Sequence, residues 1–246
     1  MKKFYSLILF MCLAIGNAWA DNGFELLGIK PNVASGSTGS WPASSLVSGA
    51  TGTITYTPNT QTLTFDNVKI QSASHGKQVV YNKSVSGLTI VFKGECILFS
   101  TENIIKYDAW TIVDGSASTK VEMHVKAIGD DKETIYSNRG ASDVAAPLTI
   151  RNFPYLRLTA QGDYCISHKK GSVTIYDSHI LMESGKGMIH TNYYNGTCDQ
   201  VEFKNCWLAG NYVYAYSDEA YDVITRTNDT TGKDKVKKAI ILRDSE

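Results

Sequence analysis

The chain has 246 residues, with 24 basic and 24 acidic side chains. That balance gives no electrostatic steering toward nucleic acid or an anionic surface, and no nucleic-acid partner is expected. Five cysteines over this length are too few for a disulfide scaffold, while the length suffices for one undivided all-β core.

The first twenty residues, MKKFYSLILFMCLAIGNAWA, place Lys2 and Lys3 before an apolar run from Phe4 to Ile15 and end on small residues around Ala18-Trp19-Ala20. This is the order of a secretory signal peptide, and the run is too short to span a bilayer. Residues 1–20 are therefore predicted to direct export, with a mature chain that starts near Asp21, has no transmembrane segment and is secreted, periplasmic or held at the cell surface. Without Lys2 and Lys3, 22 basic groups remain against 24 acidic ones. A lipid anchor on Cys12 competes with this reading, although Met11 stands where such an anchor has a small residue.

Residues 21–50 are read as an N-terminal cap and lead-in: one apolar strand, Phe24 to Ile29, then a Ser/Gly/Ala-rich passage with Trp41-Pro42 and no helical or strand period. From 51 to 220 the chain repeats itself. Aligned on the apolar residue after a threonine, the copies are Thr64-Phe65, Thr89-Ile90, Thr111-Ile112, Thr149-Ile150 and Thr174-Ile175, with Glu202-Phe203 last. The anchors lie 25, 22, 38, 25 and 28 residues apart. Two residues after them stand Asn67, Phe92, Asp114, Asn152, Asp177 and Asn205, mostly the residue types that tolerate a tight corner.

Second strands follow at Val68 to Ile70, Cys96 to Phe99, Val121 to Val125, Tyr155 to Thr159, Ile180 to Met182 and Trp207 to Leu208. Third strands fall at Val79-Val80, Ile104-Ile105, Ile135-Tyr136, Cys165-Ile166, Met188-Ile189 and Tyr212 to Tyr214. No unit carries enough apolar residues to bury a core alone, but a stack of them does. Three short strands per unit without a helix predict an all-β parallel β-helix of about six coils. Phe65, Ile90, Ile112, Ile150, Ile175 and Phe203 are expected to form one internal stack. The long interval holds an insertion around Gly129 to Glu133 and Ser137 to Pro147, read as a loop from one face. Residues 221–246 end in an apolar strand around Ala239 to Leu242, expected to cap the open end of the column. An antiparallel sandwich is the rival fold, but it does not require threonine-apolar and Asn/Asp positions to return in register.

The segment TGTITYTPNTQTLTFDNVKI, Thr51 to Ile70, and the later LTI strands resemble a group of secreted Bacteroidetes-type right-handed parallel β-helix proteins. These are similar to the carbohydrate-binding domains related to polysaccharide lyases. The resemblance implies an extracellular glycan-binding or adhesive role, with a polysaccharide or a host or bacterial surface glycan as partner. The lyase relatives set clustered acids for Ca²⁺ and an Arg or Lys base on one outer face, and no such cluster is matched here.

Candidate chemistry is sparse. The chain has no GxGxxG, P-loop, HExxH, CxxC pair or G-x-S-x-G elbow, and no cofactor or metal site is expected. Asp130 and Asp131 in the insertion lack the spaced ligands of a Ca²⁺ loop. Matching Ile166 to Ile189 sets His190 above Ser167 and His168 above Thr191, with Lys169 close by. These three are the weak catalytic candidates, a base with a cationic helper but no carboxylate. Aromatic residues are denser near the end of the repeats. Tyr193, Tyr194, Tyr212, Tyr214 and Tyr216 are the predicted ligand-binding residues, the last three alternating on one strand face where sugar rings can stack. If that face turns inward, they close the core instead. Cys198 and Cys206 are close enough to bridge, whereas burial as small hydrophobes accounts equally for Cys96, Cys165, Cys198 and Cys206. The function predicted is a non-catalytic glycan-binding or adhesive surface protein. A polysaccharide lyase or hydrolase and a purely structural or protein-adhesive module are the alternatives.

Overall fold

A computed structural model describes residues 22–34, 36–127, 132–137, 144–168, 170–191, 193–194, 197–198, 201–209, 212–214, 224–226 and 238–243. Its strands stack in parallel as the coils of a β-solenoid. The first coil is Thr62–Ile70 and Val80–Asn82, the second Leu88–Ser100 and Ile105–Tyr107, and the third Thr111–Val125 and Ile135–Ser137. In these three the first and second strands run on through a corner. The fourth coil separates them as Leu148–Arg151, Leu156–Ala160 and Ile166–His168, and the fifth as Val173–Tyr176, Ile180–Ser184 and Ile189–Thr191. Of a sixth coil, Val201–Lys204 and Cys206–Ala209 are described.

The coils begin at Thr62 rather than at residue 51. Thr51–Thr57 pairs antiparallel with the first coil, and Gly39–Pro42 pairs antiparallel with Thr51–Thr57 in turn. Phe24–Leu26 closes the third-strand sheet by antiparallel pairing with Val80–Asn82. The edges at this end of the column are thereby occupied by the chain's own strands, which keeps them from pairing with other chains.

Side chains alternate in and out along each strand, and the register identifies the internal stack as Leu63, Ile90, Val113, Ile150, Ile175 and Phe203. Four of the six expected members are there, whereas Phe65 and Ile112 are not. In the first coil the strand runs two residues further before its corner, so Leu63 takes the place assigned to Phe65. In the third coil Thr111 is itself fully buried, its hydroxyl donating to the Ala109 carbonyl at 2.9 Å. The threonine-then-apolar rule therefore slips by one residue, which turns Ile112 outward.

Asn67, Asn152, Asp177 and Asn205 do form corners, with φ of 51°, 60°, 48° and 51°. This left-handed conformation is costly for most residues and mild for Asn and Asp. The second coil turns on Gly94, at φ 66°, so Phe92 is a core residue and not a corner. Phe65 and Phe92 have ring centroids 5.4 Å apart, and Phe92 and Phe153 6.2 Å apart. Phe153, from the fourth coil, reaches past the third because Gly115 leaves the room. A Cβ on Gly115 would stand 2.4 Å from the Phe153 ring.

In the third-strand sheet Val80, Ile105, Ile135, Ile166 and Ile189 stack in register. Two residues further along each strand lies an inner polar row: Asn82, Tyr107, Ser137, His168 and Thr191, all at 0% exposure. Tyr212–Tyr214, expected as the third strand of the last coil, does not extend this sheet. It pairs antiparallel with Ile224–Arg226 in a separate two-stranded sheet.

The C-terminal strand Lys238–Arg243 lies between the fifth and sixth coils. It pairs antiparallel with Ile180–Ser184 on one side and with Cys206–Ala209 on the other, and Ile241 is buried in the core. The first strands of those coils still stack directly, Ile175 on Phe203, so the two coils diverge at the Asp177 and Asn205 corners. Of the insertion, Glu133 is buried and its side-chain Oε2 accepts from Asn103 Nδ2 at 3.3 Å, while 129–131 and 138–143 lie outside the described residues. Among the described residues no helix is long and apolar enough to cross a membrane.

Candidate functional site

The turns that join the third strand of one coil to the first strand of the next stack along the column, and a groove opens across them. Its shape begins with Asn82, whose buried amide replaces main-chain partners. Nδ2 donates to the Val85 carbonyl and to Thr111 Oγ1, and Oδ1 accepts from the Val85 amide, each at 2.9 Å. This fixes the turn that presents Ser84 and Ser86. In the next turn the Asp108 amide donates to the Asn82 carbonyl at 2.7 Å, and the Tyr81 hydroxyl donates to Asp108 Oδ2 at 2.6 Å.

Trp110 follows at the lip of this groove. The Gly87 amide donates to the Trp110 carbonyl at 2.9 Å, and a Cβ on Gly87 would stand 3.6 Å from the indole. The indole thus lies along the bare backbone of the turn below it. It is 43% exposed, one of only four large hydrophobic residues that are exposed among those described. The groove has a volume of about 350 Å³, and Ser84, Ser86, Asp108, Trp110, Val144 and Pro147 line it. An apolar ring face bordered by hydroxyls and a carboxylate suits a ligand that is apolar on its faces and polar at its rim.

The outward face of the first-strand sheet continues from Trp110. One registered row holds Thr62, Thr89, Ile112, Thr149, Thr174 and Glu202. The next holds Thr64, Val91, Asp114, Arg151, Tyr176 and Lys204. Arg151 Nε donates to Asp114 Oδ2 at 2.6 Å, and its Nη1 to the Tyr176 hydroxyl at 3.4 Å. Burial raises the Asp114 carboxyl, but hydrogen bonds from Ser116 and then from Arg151 outweigh it and hold the group below the usual carboxylate range. A second groove, of about 530 Å³, is lined by Thr149, Thr174, Tyr176, Asp177, Lys204 and Asn205.

The outward face of the second-strand sheet is charged but paired with itself. Lys69 meets Glu95, Lys120 bridges Glu95 and Glu122 at 3.7 and 2.9 Å, and Arg157 meets Glu183 at 2.6 Å. His124 stacks on Phe99 with centroids 4.5 Å apart and lies 3.1 Å from Glu122. Burial pushes the imidazole below its ordinary range despite that carboxylate. Such ladders of alternating charge account for themselves as cross-strand pairs.

The expected histidine pair is not assembled. The register does set His190 on Ser167 and His168 on Thr191, but alternation then sends the two rings to opposite faces. His168 is buried in the core, its Nδ1 2.5 Å from the Tyr107 hydroxyl. Burial pushes it down to about 4, so it is neutral at pH 7. His190 stacks on Tyr164 with centroids 4.6 Å apart. Lys169, Tyr216, Asp130 and Asp131 lie outside the described residues, as do the side chains of Tyr193, Tyr194, Tyr212 and Tyr214. Among the described residues no three His, Cys, Asp or Glu side chains group closely enough to hold a metal ion. Cys96 and Cys165 are buried thiols, and buried Cys206 donates its Sγ hydrogen to the Ile175 carbonyl at 3.4 Å.

Sequence reasoning passed over Trp110 and Tyr176. The available signal was alternation: Trp110 is two residues before outward Ile112, and Tyr176 two after outward Thr174. No family model matches the chain, and no curated protein or solved structure proved similar to it.

Proposed function

We propose that this is an exported, non-catalytic glycan-binding β-solenoid that takes sugar in the groove beneath Trp110. Export is the reading of residues 1–20. The observation that carries the binding is the exposed indole set in a groove of about 350 Å³ that Ser84, Ser86 and Asp108 also line. A pyranose presents an axial C–H face to an aromatic ring and equatorial hydroxyls to its edge, and stacking with edge hydrogen bonds follows from that shape. The Tyr81 hydroxyl and the Asn82 carbonyl hold Asp108 in place, which fixes the turn that carries Trp110 and lowers the ordering cost of binding.

Affinity electrophoresis of the purified protein through gels containing neutral or acidic polysaccharides, with each polymer sized afterwards, tests this reading. Retardation without shortening, lost in Trp110→Ala, is the expected outcome. Shortened polymer makes the protein an enzyme, and unretarded migration through every gel removes sugar as the ligand.

A further inference from the structure

The grooves at Trp110 and at Tyr176 follow one another along the column, with no lining residue in common. Pro147 lines the first and Thr149 the second, two residues apart in the chain on either side of the start of the strand Leu148–Arg151. Trp110 precedes outward Ile112 by two residues. Thr149 is the registered neighbour of Ile112 one coil on, Thr174 that of Thr149 one coil further, and Tyr176 follows Thr174 by two. Trp110, Thr149 and Tyr176 therefore fall on a straight diagonal, each step one coil along the column and two residues along the strand. The whole diagonal is roughly 16 Å, from four residues at about 3.3 Å and two rungs at about 4.8 Å. Both ends carry a partly exposed aromatic side chain and the middle carries a hydroxyl.

Charges along this face are already paired. Asp114 holds Arg151, Lys204 meets Glu202 at 3.0 Å, Lys93 meets Asp66 at 2.7 Å, and Asp177 lies 3.8 Å from Arg243. Among these described residues no cation is left over to favour a carboxylate or sulfate, whereas the hydroxyls of Thr149, Thr174 and Tyr176 suit neutral hydroxyl partners.

Resting on the glycan-binding reading, we infer that the two grooves are one extended site for a linear, uncharged glycan, with Tyr176 as a second stacking platform beyond Trp110. A chain of about four pyranose units spans the roughly 16 Å between the aromatic residues. Two platforms on one rigid sheet act like linked modules, so a glycan long enough to touch both binds more tightly than one confined to either.

Calorimetric titration of the full protein with linear β-1,4-glucan, β-1,4-xylan, β-1,4-mannan and β-1,3-glucan oligosaccharides, from two to six units, tests this. In the series that binds, affinity rises about tenfold or more between two and four units, the worth of one aromatic stack, and then levels off. Tyr176→Ala removes that rise and leaves the two-unit affinity within about twofold, while Tyr176→Phe, which keeps the ring, retains it. Affinity independent of length, or a rise unchanged in Tyr176→Ala, overturns the extended site while leaving glycan binding at Trp110 in place. Binding confined to acidic oligosaccharides added as a control overturns the uncharged class. The absence of binding in every series, neutral and acidic, overturns both the extended site and the glycan reading beneath it.

Discussion

Acid should unfold this protein through a residue that no solvent reaches. His168 is at 0% exposure, its Nδ1 bonded to the Tyr107 hydroxyl, with a folded-state pKa of about 4 against an ordinary value of 6.5. Above pH 6.5 the ring is neutral in both folded and unfolded chains, and the group adds no pH dependence. Between 6.5 and about 4 the unfolded chain takes up the proton and the folded chain does not, so stability is lost as pH falls. Below about 4 both states carry the proton and the slope from this residue ends. A difference of about 2.5 pH units, at about 1.36 kcal/mol each, makes the loss roughly 3 kcal/mol.

The carboxylates titrate in the same window, so the assay is a comparison. Guanidinium unfolding of the wild type and of His168→Phe is followed by circular dichroism at several values from pH 7.5 to pH 4. The phenyl ring keeps the stacking but removes the hydrogen bond between Nδ1 and the Tyr107 hydroxyl, costing about 0.5–1.5 kcal/mol at neutral pH. As pH falls, the variant's deficit should close and then reverse, the two curves converging by roughly 3 kcal/mol. Parallel curves over the whole range would refute the assignment of this pH dependence to His168.

Three other outcomes follow from the packing. Gly115→Ala sets a methyl 2.4 Å from the Phe153 ring, and because that ring is backed by Phe92, the variant should lose about 1–3 kcal/mol, seen as a lower thermal midpoint. Asn82→Ala removes three hydrogen bonds of 2.9 Å and leaves the buried Val85 amide unpaired. It should cost about 2–3 kcal/mol and, by loosening the Ser84 turn, weaken binding at Trp110, which denaturant titration and affinity electrophoresis read separately. Burial pushes the Cys165 thiol up to about 12. Iodoacetamide at pH 8 should leave it unmodified in the native protein and label it fully in guanidinium, with mass spectrometry as the readout; rapid native labelling would contradict its burial.

The solenoid was legible because its periodicity is local. Each coil needs an apolar residue inside every strand and a corner residue that accepts positive φ, so Ile90, Ile150, Ile175, Asn152, Asp177 and Asn205 could be assigned from spacing alone. The misplaced members fail for one reason. Face depends on parity, and neither the two extra residues in the first coil nor the inward Thr111 of the third leaves a mark that spacing can detect. The histidines show the same limit: their register was readable, but the parity that separates the rings counts from strand positions only the fold supplies.

What the sequence by itself determined is the all-β repeat, its three strands per coil, most of the internal stack and the residues able to turn its corners. All of these follow from preferences acting within one unit or between neighbouring units. What only the tertiary structure decided is partnership over distance: the C-terminal strand between the fifth and sixth coils, His168 beneath Tyr107, and Trp110 lying open over Gly87 beside Asp108. Such contacts depend on which turns stack on which, and a turn carries no local record of the turn one coil away.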